Sequence, residues 1–144
     1  MCLISLLALA VVRPPRREYE TQRLLPRALA ATFTHTELTL QSAGGHTLKG
    51  SFWELQASAK TKINAKSKSM RESESRGPAC IVYCHPNSSS RMEVVSSRVL
   101  ETAAELGCSV ACVDFTGTGQ SEGGCISLGA ASEPRDLAVL LTGE

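Results

Sequence analysis

The chain has 144 residues, of which 42% are apolar and 20% are charged, and its formal net charge is +1. This length suits one domain, and the composition is ordinary for a globular protein. The near-neutral charge excludes a global electrostatic attraction to nucleic acid. An aromatic content of 4% also argues against a surface on which bases stack. We therefore expect no nucleic-acid partner.

Residues 1–31 form an apolar N-terminal segment and a lead-in that contains the sequence RPPRR. Residues 2–12 are continuously apolar, but the run is too short to span a bilayer as a helix. It fits a short helix that covers the domain or makes weak contact with a membrane surface, or the core of a cleaved signal peptide. Because no basic residue precedes the run, we favour a cytoplasmic protein over a secreted one.

Residues 32–144 are expected to form one domain that begins with a β-hairpin. Two β-rich runs, 34–40 and 47–55, flank a Gly-Gly turn. Residues 56–77 are basic and rich in serine, which is typical either of a patch that binds nucleic acid or membrane or of a solvated insertion. We favour a low-complexity insertion, because the tract has too little apolar surface to bury.

Two continuous apolar runs, 79–84 and 108–115, predict strands that are buried on both faces, as in a parallel sheet. Between them, residues 88–106 predict one helix, with capping-box spacing at Ser90 and Glu93. Its apolar stripe consists of Met92, Val95, Val99, Ala103 and Leu106. Strand, helix and strand together predict a βαβ unit with a right-handed crossover.

The six cysteines show no spacing typical of a zinc or redox centre. No Cys-x-x-Cys pair occurs, so we predict no metal site. Four cysteines lie in apolar runs that predict strands, where a free thiol packs as a small hydrophobe. We favour buried, unpaired thiols over disulfides at these positions, which are Cys80, Cys84, Cys108 and Cys112.

The first candidate motif is His85, Pro86, Asn87 and Ser88, directly after the first buried strand. In open α/β sheets, functional groups gather at the carboxyl ends of the strands. The motif also precedes a helix, whose free N-terminal amides can stabilise an anion. A capped turn in which His85 bonds to neighbouring loops explains the same spacing equally well.

The second candidate motif is the glycine-rich run DFTGTGQSEG, residues 114–123. Gly117, Gly119 and Gly123 are spaced one residue too far for a dinucleotide fingerprint. Ser121 lies in a Gly-x-Ser-x-Gly pentapeptide, but a nucleophile elbow needs a strand directly before the serine and a helix directly after it. Ser121 is therefore a weak nucleophile candidate. The remaining interpretation is a structural loop in which Asp114 accepts backbone amides and the glycines adopt positive φ.

Taken together, these motifs resemble α/β-hydrolases of the serine aminopeptidase and monoacylglycerol-lipase-like branch. The resemblance is carried by HPNSSSR after the first strand, DFTGTGQSEG after the second, then SLG and EPRDLA, with RPPRREY near the start. It spans residues 13–141 apart from the insertion. It implies an α/β fold, namely the N-terminal half of an α/β-hydrolase fold. In that half a β-hairpin is followed by a βαβ unit, and the chain is truncated before the nucleophile elbow.

The resemblance also implies roles for individual residues. The backbone amide of Asn87 corresponds to one donor of the family's oxyanion hole, which stabilises the negative charge of an acyl-transfer intermediate. Pro86 stands where the family usually has glycine, and proline fixes φ at about −65°. The loops that shape the site would consist of His85, Pro86, Asp114, Gly117, Gly119, Ser121 and Gly123.

For function, the resemblance implies a serine hydrolase that cleaves an ester, thioester or amide bond of a small-molecule acyl substrate, with no metal or organic cofactor. In that family the catalytic Ser, Asp and His follow one another later in the chain. They would lie beyond a second helical pattern at residues 133–141. We therefore expect this chain to carry no catalytic triad and to be inactive. The alternative is a non-catalytic, hydrolase-like module or fragment that needs a partner chain to fold. The oligomeric state is not indicated.

Overall fold

A computed structural model describes residues 25–56, 79–87 and 89–143. The predictions for residues 2–12, for RPPRR and for the tract 57–77 lie outside the described residues. The elements, in chain order, are α1 (Arg27–Ala30), β1 (Phe33–Gln41), β2 (Thr47–Leu55), β3 (Cys80–Tyr83), α2 (Glu93–Ser96), α3 (Val99–Leu106), β4 (Ser109–Val113) and α4 (Ser132–Thr142).

The four strands form one mixed sheet in the order β1-β2-β4-β3. The predicted hairpin is confirmed, because β1 and β2 pair antiparallel around a turn closed by a 2.8 Å bond from the Ser42 amide to the His46 carbonyl. Strand β4 pairs antiparallel with β2 and parallel with β3, with Ile81 opposite Val110. The parallel pair confirms the predicted βαβ unit.

Burial of the two parallel strands differs from the prediction. Every residue of β4 is buried, as expected. In β3, Cys80 is exposed and the other three residues are only half-buried. Strand β3 lies at the edge of the described sheet and pairs on one side only. The prediction of buried thiols is therefore right for Cys112 alone, because Cys80 and Cys84 are exposed and Cys108 is half-buried, all of them unpaired.

The predicted helix 88–106 is interrupted rather than continuous. It divides into α2 and α3 because Arg98 adopts the left-handed conformation, with φ 62°. Ser90 does not cap it, and the Ser89 hydroxyl instead donates to the Glu93 carboxylate at 2.6 Å. The predicted apolar stripe is confirmed in part, because Ala103 is buried and Val95 and Val99 are half-buried against the core. The residues buried from these helices are Val94, Leu100 and Ala103, whereas Leu106 is 66% exposed.

Helices cover both faces of the sheet, which makes three layers. On one face Trp53, Val110 and Cys112 pack with residues from α2 and α3. On the other face Leu48 and Val113 pack with two leucines of α4. The alternation of side chains along β2 and β4 explains the two cores. None of the helices in the described ranges has the length and apolar character needed to cross a membrane.

Candidate functional site

The turn after β3 is fixed by the imidazole of His85. His85 is 7% exposed, and its Nε2 accepts the Phe115 backbone amide at 3.4 Å. The ring proton is therefore at Nδ1, which donates to the Pro86 carbonyl at 2.9 Å. The ring also packs against the Phe115 ring, with centroids 5.0 Å apart. These contacts join the turns that follow β3 and β4, and they leave Pro86 and Asn87 exposed.

Asp114 lies at the start of the glycine loop, by which we mean residues 114–123. Its side chain is fully buried, and its two carboxylate oxygens accept backbone amides. Oδ1 accepts from Arg91 at 2.7 Å and Oδ2 accepts from Gln120 at 3.0 Å. A buried carboxylate needs such bonds, because burying an unpaired charge is costly. Asp114 thus fixes the backbone shortly before α2, at Arg91, and the backbone of its own loop, at Gln120.

Arg91 is a buried cation that the sequence interpretation did not single out. Its side chain is 1% exposed. The guanidinium donates to the Gly50 carbonyl at 3.1 Å, the Glu37 carboxylate at 2.8 Å and the Gln120 side-chain oxygen at 3.0 Å. One side chain therefore links β1, β2 and the glycine loop. The planar fork of arginine suits such multiple bonding.

The glycines of the loop have the geometry expected of a structural turn. Gly117, Gly119 and Gly123 have φ of 83°, 46° and 109°. These left-handed values favour glycine, which has no Cβ. A Cβ on Gly119 would also overlap the carboxylate of Asp114. The close approach of backbone and carboxylate therefore requires glycine at this position.

Ser121 lies inside the loop with its hydroxyl enclosed. The residue is 0% exposed. Its Oγ donates to the Asp114 carbonyl and accepts the Lys49 backbone amide at 2.8 Å. Turn residues precede it, and the next helix begins only at Ser132. Neither the strand nor the helix of a nucleophile elbow adjoins Ser121.

Helix α4 fixes the loop from the opposite face of the sheet through a second buried carboxylate. Asp136 is 1% exposed, and its Oδ2 accepts the Thr116 backbone amide at 2.7 Å. Burial raises the pKa of Asp136, although the bonds from Thr116 act in the opposite direction. Asp114 and Asp136 thus hold the loop from two sides.

The N-terminus of α4 is closed by a cluster of hydroxyls and one carboxylate. The Ser127 hydroxyl accepts the amides of Ala131 at 3.0 Å and Ser132 at 2.9 Å. The Glu133 carboxylate accepts the Ser127 amide at 2.8 Å and the hydroxyls of Ser127 and Ser132. Burial alone would raise the pKa of Glu133, but these bonds outweigh it and lower that pKa.

A cavity of about 370 Å³ opens where these segments meet. Asn87, one of the predicted site residues, lines it beside Cys84 and His85. The rest of the wall comes from the turn after β4, the segment 126–129 and α4; its apolar members are Phe115, Ile126, Leu128, Pro134 and Leu137. Among the described residues, no group of three His, Cys, Asp or Glu side chains could hold a metal ion.

The structure brings together both predicted motifs, since His85 contacts Phe115 and Thr118 of the glycine loop. Sequence reasoning missed Arg91 and Asp136. A signal for Asp136 exists, because it precedes the apolar Val139 and Leu140 by three and four residues and so lies on the inner face of the helix. Arg91 has no comparable signal in its serine-rich surroundings.

Comparison with known proteins rests on solved structures, because no protein-family model and no curated protein matches the sequence. The Pyrococcus furiosus esterase Pf2001 is similar with a TM-score of 0.61 and 20% identity, over 91% of this chain and 40% of the esterase. A second crystal form of the same esterase is similar with a TM-score of 0.58 and 21% identity, over 88% of this chain and 40% of the esterase. The chain thus spans 40% of the esterase's length. The likeness establishes the fold: the chain has the mixed α/β architecture of part of an α/β-hydrolase.

Proposed function

We propose that this chain supplies one oxyanion-hole donor and part of the active-site rim of a serine hydrolase. Its substrate would be a small acyl ester, thioester or amide, and its branch would be the serine aminopeptidase and monoacylglycerol-lipase-like one. The supporting observation is the position of Asn87. It follows the carboxyl end of β3 and lines an apolar cavity, and His85 ties the preceding turn to the glycine loop.

The chemistry needs a fixed N–H rather than a particular side chain at residue 87. When a serine hydroxyl attacks the acyl carbonyl, the carbonyl oxygen becomes negative and must be stabilised. A backbone amide held in place beforehand stabilises that charge without reorganising during the reaction. The bonds of His85 to the Pro86 carbonyl and the Phe115 amide would hold Asn87 in this way. We place the attacking serine outside the 144 residues of this chain, because the hydroxyl of Ser121 is enclosed.

Two substitutions at residue 87 distinguish the role of the backbone N–H from that of the side chain. Asn87→Pro removes the N–H, whereas Asn87→Ala keeps it. Both would be made in the longest natural protein that contains these residues, and hydrolysis of a p-nitrophenyl ester would be measured. We expect Asn87→Pro to lower kcat by about 100-fold to 1,000-fold and Asn87→Ala to change it little. Equal activity of the two variants would overturn the proposal.

A non-catalytic, hydrolase-like module that needs a partner chain is the second candidate. The enclosed hydroxyl of Ser121 favours it for the 144-residue chain taken alone. A fluorophosphonate probe, which labels activated serines, distinguishes the possibilities. We expect no labelling of this chain by itself. Labelling that is lost in Ser121→Ala would instead identify Ser121 as a nucleophile.

A further inference from the structure

The cavity beside Asn87 has the size and lining of a small-molecule site. Its volume is about 370 Å³, near the lower end of the range of about 300–1,000 Å³ found for ligand pockets. Apolar side chains from three segments line it, including Phe115, Ile126 and Leu137. Phe115 and Ile126 are themselves buried, so their positions are set by packing. A compact apolar group fits such a space.

Leu128 is held at this cavity in a backbone conformation that leucine rarely adopts. Its φ is 54°, and its side chain is 49% exposed. A left-handed conformation is strained for a residue with a branched side chain, and it persists only where the surroundings enforce it. Here hydrogen bonds to Glu133 fix Ser127, which directly precedes Leu128. A large apolar side chain therefore lines the cavity despite the strain, at a position where glycine would be unstrained.

The charge of the cavity wall favours neutral ligands over anionic ligands of the same shape. Among the described lining residues Glu133 carries the one carboxylate, and none is a lysine or arginine. Hydrogen bonds from Ser127 and Ser132 lower the pKa of Glu133, so the carboxylate remains ionised at neutral pH. A carboxylate of a ligand inside the cavity would be repelled by Glu133, whereas a neutral group of the same shape would not.

We propose that this cavity binds the uncharged, short acyl group of a substrate, with Leu128 contacting the chain and Glu133 excluding carboxylates. The inference rests on the proposed function and names the part of the substrate that lies next to the Asn87 amide. A neutral ester is admitted, and the carboxylate product of its hydrolysis is repelled.

The test is a titration of the ¹⁵N-labelled 144-residue chain with two probes of equal length, hexanamide and hexanoate. Backbone signals of Asn87, Leu128 and Gly129 report binding. We expect hexanamide to shift them saturably and hexanoate to bind roughly tenfold more weakly. In Glu133→Gln, which keeps an oxygen for the Ser127 amide, the two affinities should become nearly equal. Shifts confined to other residues, or equal affinities in the unmodified chain, would contradict the proposal.

Variants of two exposed leucines provide the matched control. Leu128→Gly keeps the left-handed backbone and removes the side chain, so it should fold and bind hexanamide at least about fivefold more weakly. Leu106→Ala, in α3 and outside the cavity, should bind normally. Equal binding by both would overturn the role of Leu128. If hexanamide binds but Asn87→Pro does not impair hydrolysis, the cavity remains an acyl site and the oxyanion proposal fails. If Asn87→Pro impairs hydrolysis but hexanamide does not bind in the cavity, the acyl group lies elsewhere.

Discussion

The backbone amide of Arg91 donates to the buried carboxylate of Asp114 at 2.7 Å, and the guanidinium of the same arginine lies beside that carboxylate, with Nε 3.9 Å from Oδ2. Arg91 therefore contacts Asp114 through both its main chain and its side chain. The guanidinium also bonds to Glu37 on β1 and to the Gly50 carbonyl on β2. This pair connects the segment that carries Asn87 to the glycine loop and to the hairpin.

The first prediction concerns the charge of Asp114. Asp114→Asn leaves the Arg91 cation with less compensation and turns an amide group toward a backbone N–H, so it should destabilise the fold by about 3–5 kcal/mol or abolish its unfolding transition. Urea unfolding followed by fluorescence of Trp53, the single and fully buried tryptophan, measures the loss. Glu54→Gln, at an exposed position of β2, serves as the control. A cost similar to that of the control would contradict the role of this pair.

A pair of glycine substitutions tests the geometry of the loop. Gly119→Ala would bring a Cβ onto the Asp114 carboxylate at a φ of 46°. We expect it to lower the free energy of unfolding by at least about 1–3 kcal/mol, from backbone strain alone. Gly124→Ala, where a Cβ would meet nothing within 4 Å, should have little effect. If the two variants unfold at the same urea concentration, Gly119 is not constrained as described.

Local patterns made the hairpin, the parallel strands and the glycine turns predictable, because each depends on residues close in sequence. The break at Arg98 was not predictable, since no glycine or proline marks it. Nor was the burial of Arg91, whose partners at Gly50 and Glu37 lie 41 and 54 residues away. A buried charge of this kind depends on tertiary neighbours, and a sequence read segment by segment does not contain that information.

His35 predicts a loss of stability below neutral pH. Burial lowers its pKa from 6.5, against the opposing effect of Glu37, and Arg91 lowers it further. The unfolded chain then takes up the proton first, so stability is complete above about pH 6.5 and falls as the pH drops toward the folded-state pKa. His35→Phe keeps a ring to pack on Trp53, whose centroid is 4.0 Å from that of His35. Between about pH 7.5 and about pH 5.5, urea unfolding should show a smaller loss for this variant.

The exposed His46 provides the matched control for that measurement. His46→Gln should retain the acid sensitivity of the unmodified chain. If His35→Phe loses as much stability on acidification as His46→Gln does, burial of His35 does not cause the effect.

We expect Asp136 to affect the free energy of unfolding in the opposite direction as the pH falls. Burial raises its pKa above 3.8, so the folded state binds the proton more tightly than the unfolded state does. This carboxyl therefore opposes folding above its folded-state pKa, and the penalty disappears as the pH falls through that value toward about 3.8. Asp136→Asn keeps an oxygen for the Thr116 amide and removes the charge. Urea unfolding at about pH 7 and about pH 4 should show the stability of the variant relative to the unmodified chain decreasing on acidification. A relative stability that stays constant or increases would mean that the bonds to Thr116, rather than burial, control this carboxyl.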